Sequence, residues 1–230
     1  MLISFTPQEI QGAGMTSSRT RGRMVERLRE QGIHNERVLD LMRRVPRHLF
    51  IEEALAHRAY EDTSLPIGFG QTISQPWVVA RMTEAIVEHG LDGGVCLEIG
   101  TGCGYQTAVL ADLCSQVISM ERIEALQAKS RERLQRLGLR NCRLQLADGM
   151  LGWPKDAPYR AILAAAAPRQ IPQALLEQLA IPGGLVIPVG DGETQELRLV
   201  LRSEQGFKEK SLGVVKFVPM LGGIQSRSVF

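Results

Sequence analysis

The sequence predicts an α/β fold in which helices cover a doubly wound, mostly parallel sheet. Five short apolar runs alternate with helix-like segments, a pattern typical of parallel strands joined by crossover helices. Two segments near the C-terminus alternate apolar and polar residues and predict an antiparallel pair at the sheet edge, which completes a seven-stranded sheet. The predicted strands span residues 95–99, 117–120, 142–147, 161–165, 185–189, 196–202 and 213–220.

Helical periodicity and terminal residues place the other elements, including helical additions at the N-terminus. Asn35 is a good N-cap, Pro76 suits the first turn of a helix, and Gly138 suits a helix C-terminus. The predicted helices span residues 21–31, 35–43, 77–88, 106–113, 124–137 and 171–179. We expect residues 19–230 to form a single domain and residues 1–18, which lack periodicity, to form a loose extension.

The composition is that of an ordinary globular protein, with 44% hydrophobic and 23% charged residues. The formal net charge of +2 gives no reason to expect a nucleic-acid partner. No apolar stretch approaches the roughly 18 residues that a membrane span needs, and the N-terminus does not read as a secretory signal. We therefore expect a cytoplasmic protein without membrane contact, with its four cysteines reduced and buried.

A glycine-rich turn follows the first predicted strand and precedes a predicted helix. Gly100, Gly102 and Gly104 stand at alternate positions. The dinucleotide-binding fingerprint places its third glycine one residue later, around a pyrophosphate. The shorter spacing favours a nucleoside ligand without a pyrophosphate, such as S-adenosylmethionine, although glycines in such a turn can also serve geometry alone.

Acidic residues end the next two strands. Glu121 lies about twenty residues beyond the glycines, where a carboxylate can accept hydrogen bonds from both ribose hydroxyls. Asp148, followed by Gly149, ends the third strand and could accept a bond from the adenine amine. A single acid at a strand end is more often a helix cap or a solvated loop residue. A glycine turn and two acids at three successive strand ends favour the nucleotide site, because ligands of open α/β sheets bind at that edge.

The sequence resembles the bacterial protein-L-isoaspartate (D-aspartate) O-methyltransferases from about Met15 to about Leu221. The glycine turn, LEIGTGCGYQ at 97–106, marks only the wider methyltransferase class. The segments LPIG at 65–68 and QTISQP at 71–76 point to this one family. Further matching segments are 45–50, 59–62, 120–123, 148–149, 152–153, 171–172, 182–190 and 216–219.

The resemblance implies a Rossmann-like class I methyltransferase fold with C-terminal additions. It implies transfer of a methyl group from S-adenosyl-L-methionine to the free α-carboxylate of L-isoaspartyl, and also D-aspartyl, residues in damaged proteins and peptides, leaving S-adenosyl-L-homocysteine. We expect a monomer without a metal ion. Glu98 would face the methionine ammonium group, directly or through water. The implied cofactor-binding residues are Thr72, Ile73, Glu98, Gly100, Thr101, Gly102, Glu121, Ile123, Asp148 and Gly149.

Ser74 is the implied catalytic residue. From the residues alone, a serine before a proline and a helix is more simply an N-cap-type hydroxyl. The resemblance instead assigns it the family's active-site hydroxyl, which would orient the attacking carboxylate by a hydrogen bond. A carboxylate with a pKa near ~4 is already ionised at neutral pH and needs no strong base. The lack of a convincing catalytic triad, metal site or acid pair agrees with this chemistry, and the four histidines suit packing or surface roles.

Two residues depart from the family pattern, which has an Asp at the start of the fourth strand and a Thr near its end. Arg160 stands at the entry end, remote from the expected site, and Ala165 removes a polar contact near the cofactor. The resemblance also places residues 65–68 and 214–220 near the peptide groove. The alternatives are a methyltransferase of the same fold acting on a small molecule or RNA, a non-catalytic module that keeps the cofactor pocket, and a nicotinamide-dependent reductase, which the glycine spacing disfavours.

Overall fold

The computed structural model describes residues 4–226, so the expectations for residues 1–3 and 227–230 lie outside the described residues. The strands are β1 (Leu65–Gly68), β2 (Gln71–Ile73), β3 (Val95–Ile99), β4 (Gln116–Glu121), β5 (Cys142–Leu146), β6 (Tyr159–Ala164), β7 (Leu179–Val189), β8 (Gln195–Ser203) and β9 (Gly206–Val215). The helices are α1 (Pro7–Gln11), α2 (Ser18–Glu30), α3 (Glu36–Arg44), α4 (Pro76–Glu88), α5 (Tyr105–Ala111), α6 (Glu124–Arg136) and α7 (Gln173–Glu177). Five short 3-10 turns complete the described elements.

The main sheet has seven strands in the order β5-β4-β3-β6-β7-β8-β9. The first five strands in this order pair in parallel, whereas β8 and β9 add an antiparallel pair at one edge. The predicted doubly wound sheet is therefore confirmed. The chain leaves β3 toward β5 on one side and returns to β6 on the other, so the strand order reverses between β3 and β6. Such a reversal opens a crevice at the carboxyl ends of these two strands.

The central strands are near-continuous apolar runs because helices cover both faces of the sheet. In β3, every residue from Cys96 to Ile99 is buried, and β6 is buried over most of its length. The flanking helices begin where their sequences favour it. Asn35 caps α3 by accepting hydrogen bonds from two backbone N–H groups, and Pro76 occupies the first turn of α4.

The N-terminal segment is packed onto the body instead of forming the expected loose extension. Within it, α1 carries a complete capping box between Thr6 and Glu9. The Glu9 carbonyl oxygen lies 2.8 Å from His48 Nε2, and the Ile10 carbonyl accepts a bond from Arg21 at 2.7 Å. These partners are distant in sequence, so the periodicity of the segment itself could not predict the contact.

Two further boundaries differ from the predictions. β9 begins seven residues before the predicted 213–220 strand, because β8 turns back tightly and pairs with Gly206 onward. Only Leu212 and Val215 of this edge strand are buried, so it lacks an alternating pattern. The predicted 171–179 helix is reduced to α7 because Leu179 already pairs with Tyr159 in the sheet.

The four cysteines are free thiols, three of them buried, while Cys142 is only partly buried. Within residues 4–226, no helix is both long and apolar enough to cross a membrane. In the same range, no group of three or more His, Cys, Asp or Glu side chains could hold a metal ion.

Candidate active site

A cavity opens at the carboxyl ends of the central strands. It encloses about 890 Å³ of space, a figure that includes the part open to solvent. The "sheet wall" comprises residues 99–103, 105–106 and 120–123, and the "C-terminal wall" comprises residues 218–221. The "hairpin wall" comprises Ile67 and residues 71–74, which belong to the β1–β2 hairpin and the residue after it. This hairpin is a separate antiparallel unit that strand patterning did not predict.

Most of the predicted site residues line this one cavity. Nine residues do so: Thr72, Ile73, Ser74, Gly100, Thr101, Gly102, Glu121, Ile123 and Gly149. The two others, Glu98 and Asp148, are not on its surface. Ala165 is on the surface, while Arg160 is at the opposite end of β6, where its guanidinium donates to the carbonyl oxygens of Gly90 and Pro182.

The glycine turn needs glycine for its backbone conformation. Gly100, Gly102 and Gly104 have φ angles of +92°, +53° and +92°, in the left-handed region that other residues rarely adopt. A side chain at Gly102 would also stand 3.3 Å from Ile67 of the hairpin wall. The turn therefore keeps the backbone close to the cavity, as a bound nucleoside would require.

Glu121 joins β4 to the glycine turn. Its Oε2 accepts from Gly102 N–H at 2.8 Å, and its Oε1 accepts from Arg122 and Ile123 N–H at 2.9 Å each. These bonds use three of about four acceptor positions on a carboxylate. Glu121 lines the cavity, so its remaining acceptor capacity is available to a ligand.

Glu98 lies behind the sheet wall and is fully buried. Its Oε2 accepts from Thr107 Oγ1 and from Ser119 Oγ, each at 2.5 Å. Because the Ser119 proton is committed to Glu98, Thr101 Oγ1 donates to Ser119 Oγ at 2.5 Å. Glu98 Oε1 has no hydrogen-bond partner in the described part of the chain. Burial raises the pKa of Glu98 to about 7, although the bonds from Ser119 and Thr107 oppose the shift.

Asp148 is a turn cap and an anchor for the C-terminal segment. Its Oδ1 accepts from Met150 N–H at 2.9 Å, and its Oδ2 accepts from Gly223 N–H at 2.6 Å. The geometry thus has the helix-cap arrangement that a lone strand-end acid often adopts. Gly149, its neighbour, does reach the cavity, and packs so tightly that an added Cβ would stand 2.3 Å from Ile99 Cγ2.

Ser74 is not a helix cap. The N-cap position of α4 belongs to Gln75, whose side chain makes no capping bond. The half-buried Ser74 lines the cavity, and its hydroxyl has no hydrogen-bond partner within residues 4–226. Its hydroxyl is therefore available to a ligand.

Sequence patterns missed several cavity residues. Met120, Arg122 and Gln106 line the sheet wall, and Leu221 lines the C-terminal wall. Met120 and Arg122 lie next to Glu121 in sequence, and Gln106 follows the glycine turn, so this proximity was an available signal. The C-terminal wall is held by long-range bonds, including Ala167 N–H to the Val218 carbonyl at 2.9 Å and Met220 N–H to the Ala167 carbonyl at 2.8 Å.

Comparison with known families decides among the methyltransferases that share this fold. The sequence model of the protein-L-isoaspartate (D-aspartate) O-methyltransferase family matches residues 19–225. The chain belongs to this family. Its N-terminal α1 precedes the matched region, so the packed segment before residue 19 is an addition to the part that defines the family.

Two curated bacterial family members are similar over nearly their whole length. A protein-L-isoaspartate O-methyltransferase of Pseudomonas fluorescens is 58% identical over 209 residues, covering 91% of this chain and 99% of the relative. One from Alcanivorax borkumensis is 57% identical over 216 residues, covering 94% of this chain and 98% of the relative.

The solved structures of the family agree with the fold. A Plasmodium falciparum protein described as a protein-L-isoaspartate O-methyltransferase has a TM-score of 0.76 and 25% identity, covering 87% of this chain and 98% of that chain. That protein was crystallised with S-adenosyl-L-homocysteine. A second protein-L-isoaspartate O-methyltransferase structure, 23% identical, covers 89% of this chain and 67% of that chain, also with a TM-score of 0.76, and supports the fold alone.

Proposed function

We infer that this enzyme transfers a methyl group from S-adenosyl-L-methionine to the free α-carboxylate of L-isoaspartyl residues in damaged proteins, and to D-aspartyl residues as well. The methyl ester then collapses to a succinimide, whose hydrolysis restores some normal aspartate. The observation that carries the inference is the membership of the family, with the glycine turn, Glu121 and Ser74 around one cavity. The product-bound Plasmodium structure supports the choice of methyl donor.

The cavity fits the cofactor on its own chemistry. The sheet wall offers close backbone approach at Gly100 and Gly102, apolar surface from Met120 and Ile123, and a carboxylate at Glu121. These groups suit an adenosine with its ribose hydroxyls, and the cofactor supplies the electrophilic methyl group when it binds. Thr72 and Ile73 would contact it from the hairpin wall.

The chain then needs to align the reaction and exclude water. The substrate carboxylate is ionised at neutral pH, so no group on the protein has to remove a proton. Alignment alone can lower such a barrier by about 7–11 kcal/mol. The Ser74 hydroxyl, which has no partner within the described residues, would donate a hydrogen bond to one carboxylate oxygen and leave the other oriented for attack.

We propose that Glu98 acts through the protein and not by direct contact with the cofactor. Its Oε2 supports Ser119, and Ser119 supports Thr101 in the glycine turn. The unpartnered Oε1 would accept a hydrogen bond from a buried water between this carboxylate and the methionine end of the cofactor. Asp148 would contribute to adenine binding by holding the C-terminal segment in place, because its oxygens accept from Met150 and Gly223.

The cellular setting remains a proposal. We propose a cytoplasmic monomer without nucleic-acid or membrane partners. Four free cysteines favour a reducing compartment, and the net charge of +2 gives no basic footprint for nucleic acid. We also propose that residues 19–230 form one domain, since α2 and α3 share a buried apolar cluster with α5 and α6. The molar mass in solution, from light scattering coupled to gel filtration, tests whether the protein is a monomer.

Methyl transfer to matched peptides tests the function. The enzyme is incubated with methyl-labelled S-adenosylmethionine and two peptides that differ only in Asp or isoAsp at one position. We expect label in the isoAsp peptide alone, as a base-labile ester. Label in RNA or a metabolite, with neither peptide modified, would favour the methyltransferase alternative. Cofactor binding without any transfer would favour a binding module.

A further inference from the structure

Phe69 has an unfavourable backbone conformation and an exposed side chain. It is the one non-glycine residue with a left-handed φ, +55°, within residues 4–226. Such a backbone is unfavourable for a bulky side chain, and residues strained in this way cluster at active sites and ligand clamps. Gly68 and Gly70 on either side are also left-handed, at +91° and +68°. A third glycine would therefore make this turn without strain.

The ring of Phe69 gains little from the rest of the protein. The residue is 51% exposed, and its ring makes no aromatic or cation–π contact in the described part of the chain. A Cβ added at Gly68 or Gly70 would meet nothing within 4 Å, so the turn projects away from the body. Strain and exposure of an aromatic ring therefore occur together here, without an aromatic or cationic partner in the described part of the chain.

The turn is continuous with the cavity. Phe69 joins β1 and β2, in which Gly68 pairs with Gln71. Gln71 lines the cavity, and its side-chain Nε2 donates to the Phe69 carbonyl oxygen at 3.3 Å. From Gln71 to Ser74 the chain advances three residues, or about 10 Å at the rise of a strand. Phe69 thus marks the outer end of the hairpin wall, and Ser74 marks its inner end.

We propose that Phe69 is a substrate-specificity residue that packs against an apolar or aromatic side chain of the damaged protein. An extended peptide that lies along the hairpin, with its isoaspartyl carboxylate at Ser74, covers the same distance with about three residues. The partner side chain is therefore the third or fourth from the isoaspartyl residue. The inference rests on the proposed function, because Ser74 fixes the reacting end of the peptide.

Steady-state kinetics on paired peptides tests the proposal. One isoAsp peptide set carries Phe or Tyr three or four residues from the damaged position, on either side, and its matched set carries Gly there. In Phe69→Gly, we expect KM for the preferred aromatic peptide to rise about five- to tenfold, which lies within the range for losing one aromatic pair. The value of kcat and the KM of the Gly peptide should change less than about twofold. Phe69→Leu should give an intermediate KM.

A stability measurement separates this role from a structural one. Phe69→Gly removes the left-handed strain, so its melting temperature should equal or exceed that of the wild type. The matched control is Phe207→Ala, since Phe207 is 50% exposed on the distant edge strand β9. It should leave both peptide KM values unchanged.

The outcomes separate the two levels of inference. Equal KM changes for both peptide sets, no change for either, or a loss of stability with a fall in kcat would overturn the Phe69 proposal. If the wild-type enzyme methylates the Gly peptide and Phe69→Gly leaves the KM of both peptide sets unchanged, only the specificity role fails. If wild-type enzyme methylates no isoAsp peptide, the proposed function itself fails.

Discussion

The sheet wall and the hairpin wall of the cavity are built in opposite ways. In the sheet wall, Glu121 and Thr101 already have hydrogen-bond partners within the protein. In the hairpin wall, the Ser74 hydroxyl has none within residues 4–226, and Phe69 at its outer end is exposed. A fixed wall suits a ligand that is the same in every turnover, whereas a wall with free groups suits substrates of many sequences.

Removing the Ser74 hydroxyl should have the largest effect. Ser74→Ala loses the proposed hydrogen-bond donor to the substrate carboxylate, and loss of one such donor typically lowers turnover about 10²–10³-fold. Cofactor affinity should change less than about twofold, because the sheet wall is untouched. Single-turnover kinetics and calorimetric titration with S-adenosyl-L-homocysteine measure the two quantities. Ser64→Ala, at an exposed serine of the same segment, is the control. Unchanged turnover in Ser74→Ala would remove the residue from the mechanism.

Glu98, behind the sheet wall, should make the stability of the folded protein depend on pH. Its folded-state pKa is about 7, against an ordinary value of 4.5. Because the folded pKa is raised, the folded state holds the proton longer, and stability declines as pH rises from about 4.5 to about 7. Glu98→Gln removes this titration. The free energy of unfolding of the variant relative to the wild type should improve by up to about 3 kcal/mol over that window.

Chemical denaturation of both proteins between pH 5 and pH 8 measures this difference. Other titrating groups cancel, since they are common to both proteins. If the difference in unfolding free energy between Glu98→Gln and the wild type stays constant with pH, Glu98 is ionised throughout the window. Its hydrogen bonds then offset the desolvation cost of its burial.

Glu121 tests whether the sheet wall serves the cofactor alone. Glu121→Ala removes the proposed ribose acceptor and the observed bond to Gly102, so cofactor affinity should fall about 10- to 100-fold. The KM of the isoAsp peptide should change much less, because the hairpin wall stays intact. Glu121→Gln, which keeps the shape and one acceptor oxygen, should lie between. Calorimetry that shows a greater loss of peptide than of cofactor affinity would contradict the ribose assignment.

The same contrast explains what could be predicted from the sequence. The sheet wall was predicted because its signals are local: a buried strand, three glycines and an acid at the next strand end. The surroundings of Asp148 were not predictable in this way, since its partner Gly223 is 75 residues away. Ser74 would be the helix cap if α4 began one residue earlier than it does, because the N-cap is Gln75. A shift of one residue in a helix start lies within the uncertainty of any sequence pattern. Family resemblance supplied the Ser74 assignment, and the packing of α1 had no local signal at all.

Tight packing beneath the sheet wall gives the smallest of these effects. Gly149→Ala would place a Cβ 2.3 Å from Ile99 Cγ2. Ile99 is β-branched and buried in the central strand, so it has little freedom to move aside. The variant should lose about 1–2 kcal/mol of unfolding free energy, with a small loss of cofactor affinity. In contrast, Gly22→Ala in α2 meets nothing within 4 Å and should gain about 0.5–1 kcal/mol. Equal stability of the two variants would mean that Ile99 moves aside for the added Cβ at lower cost than its packing indicates.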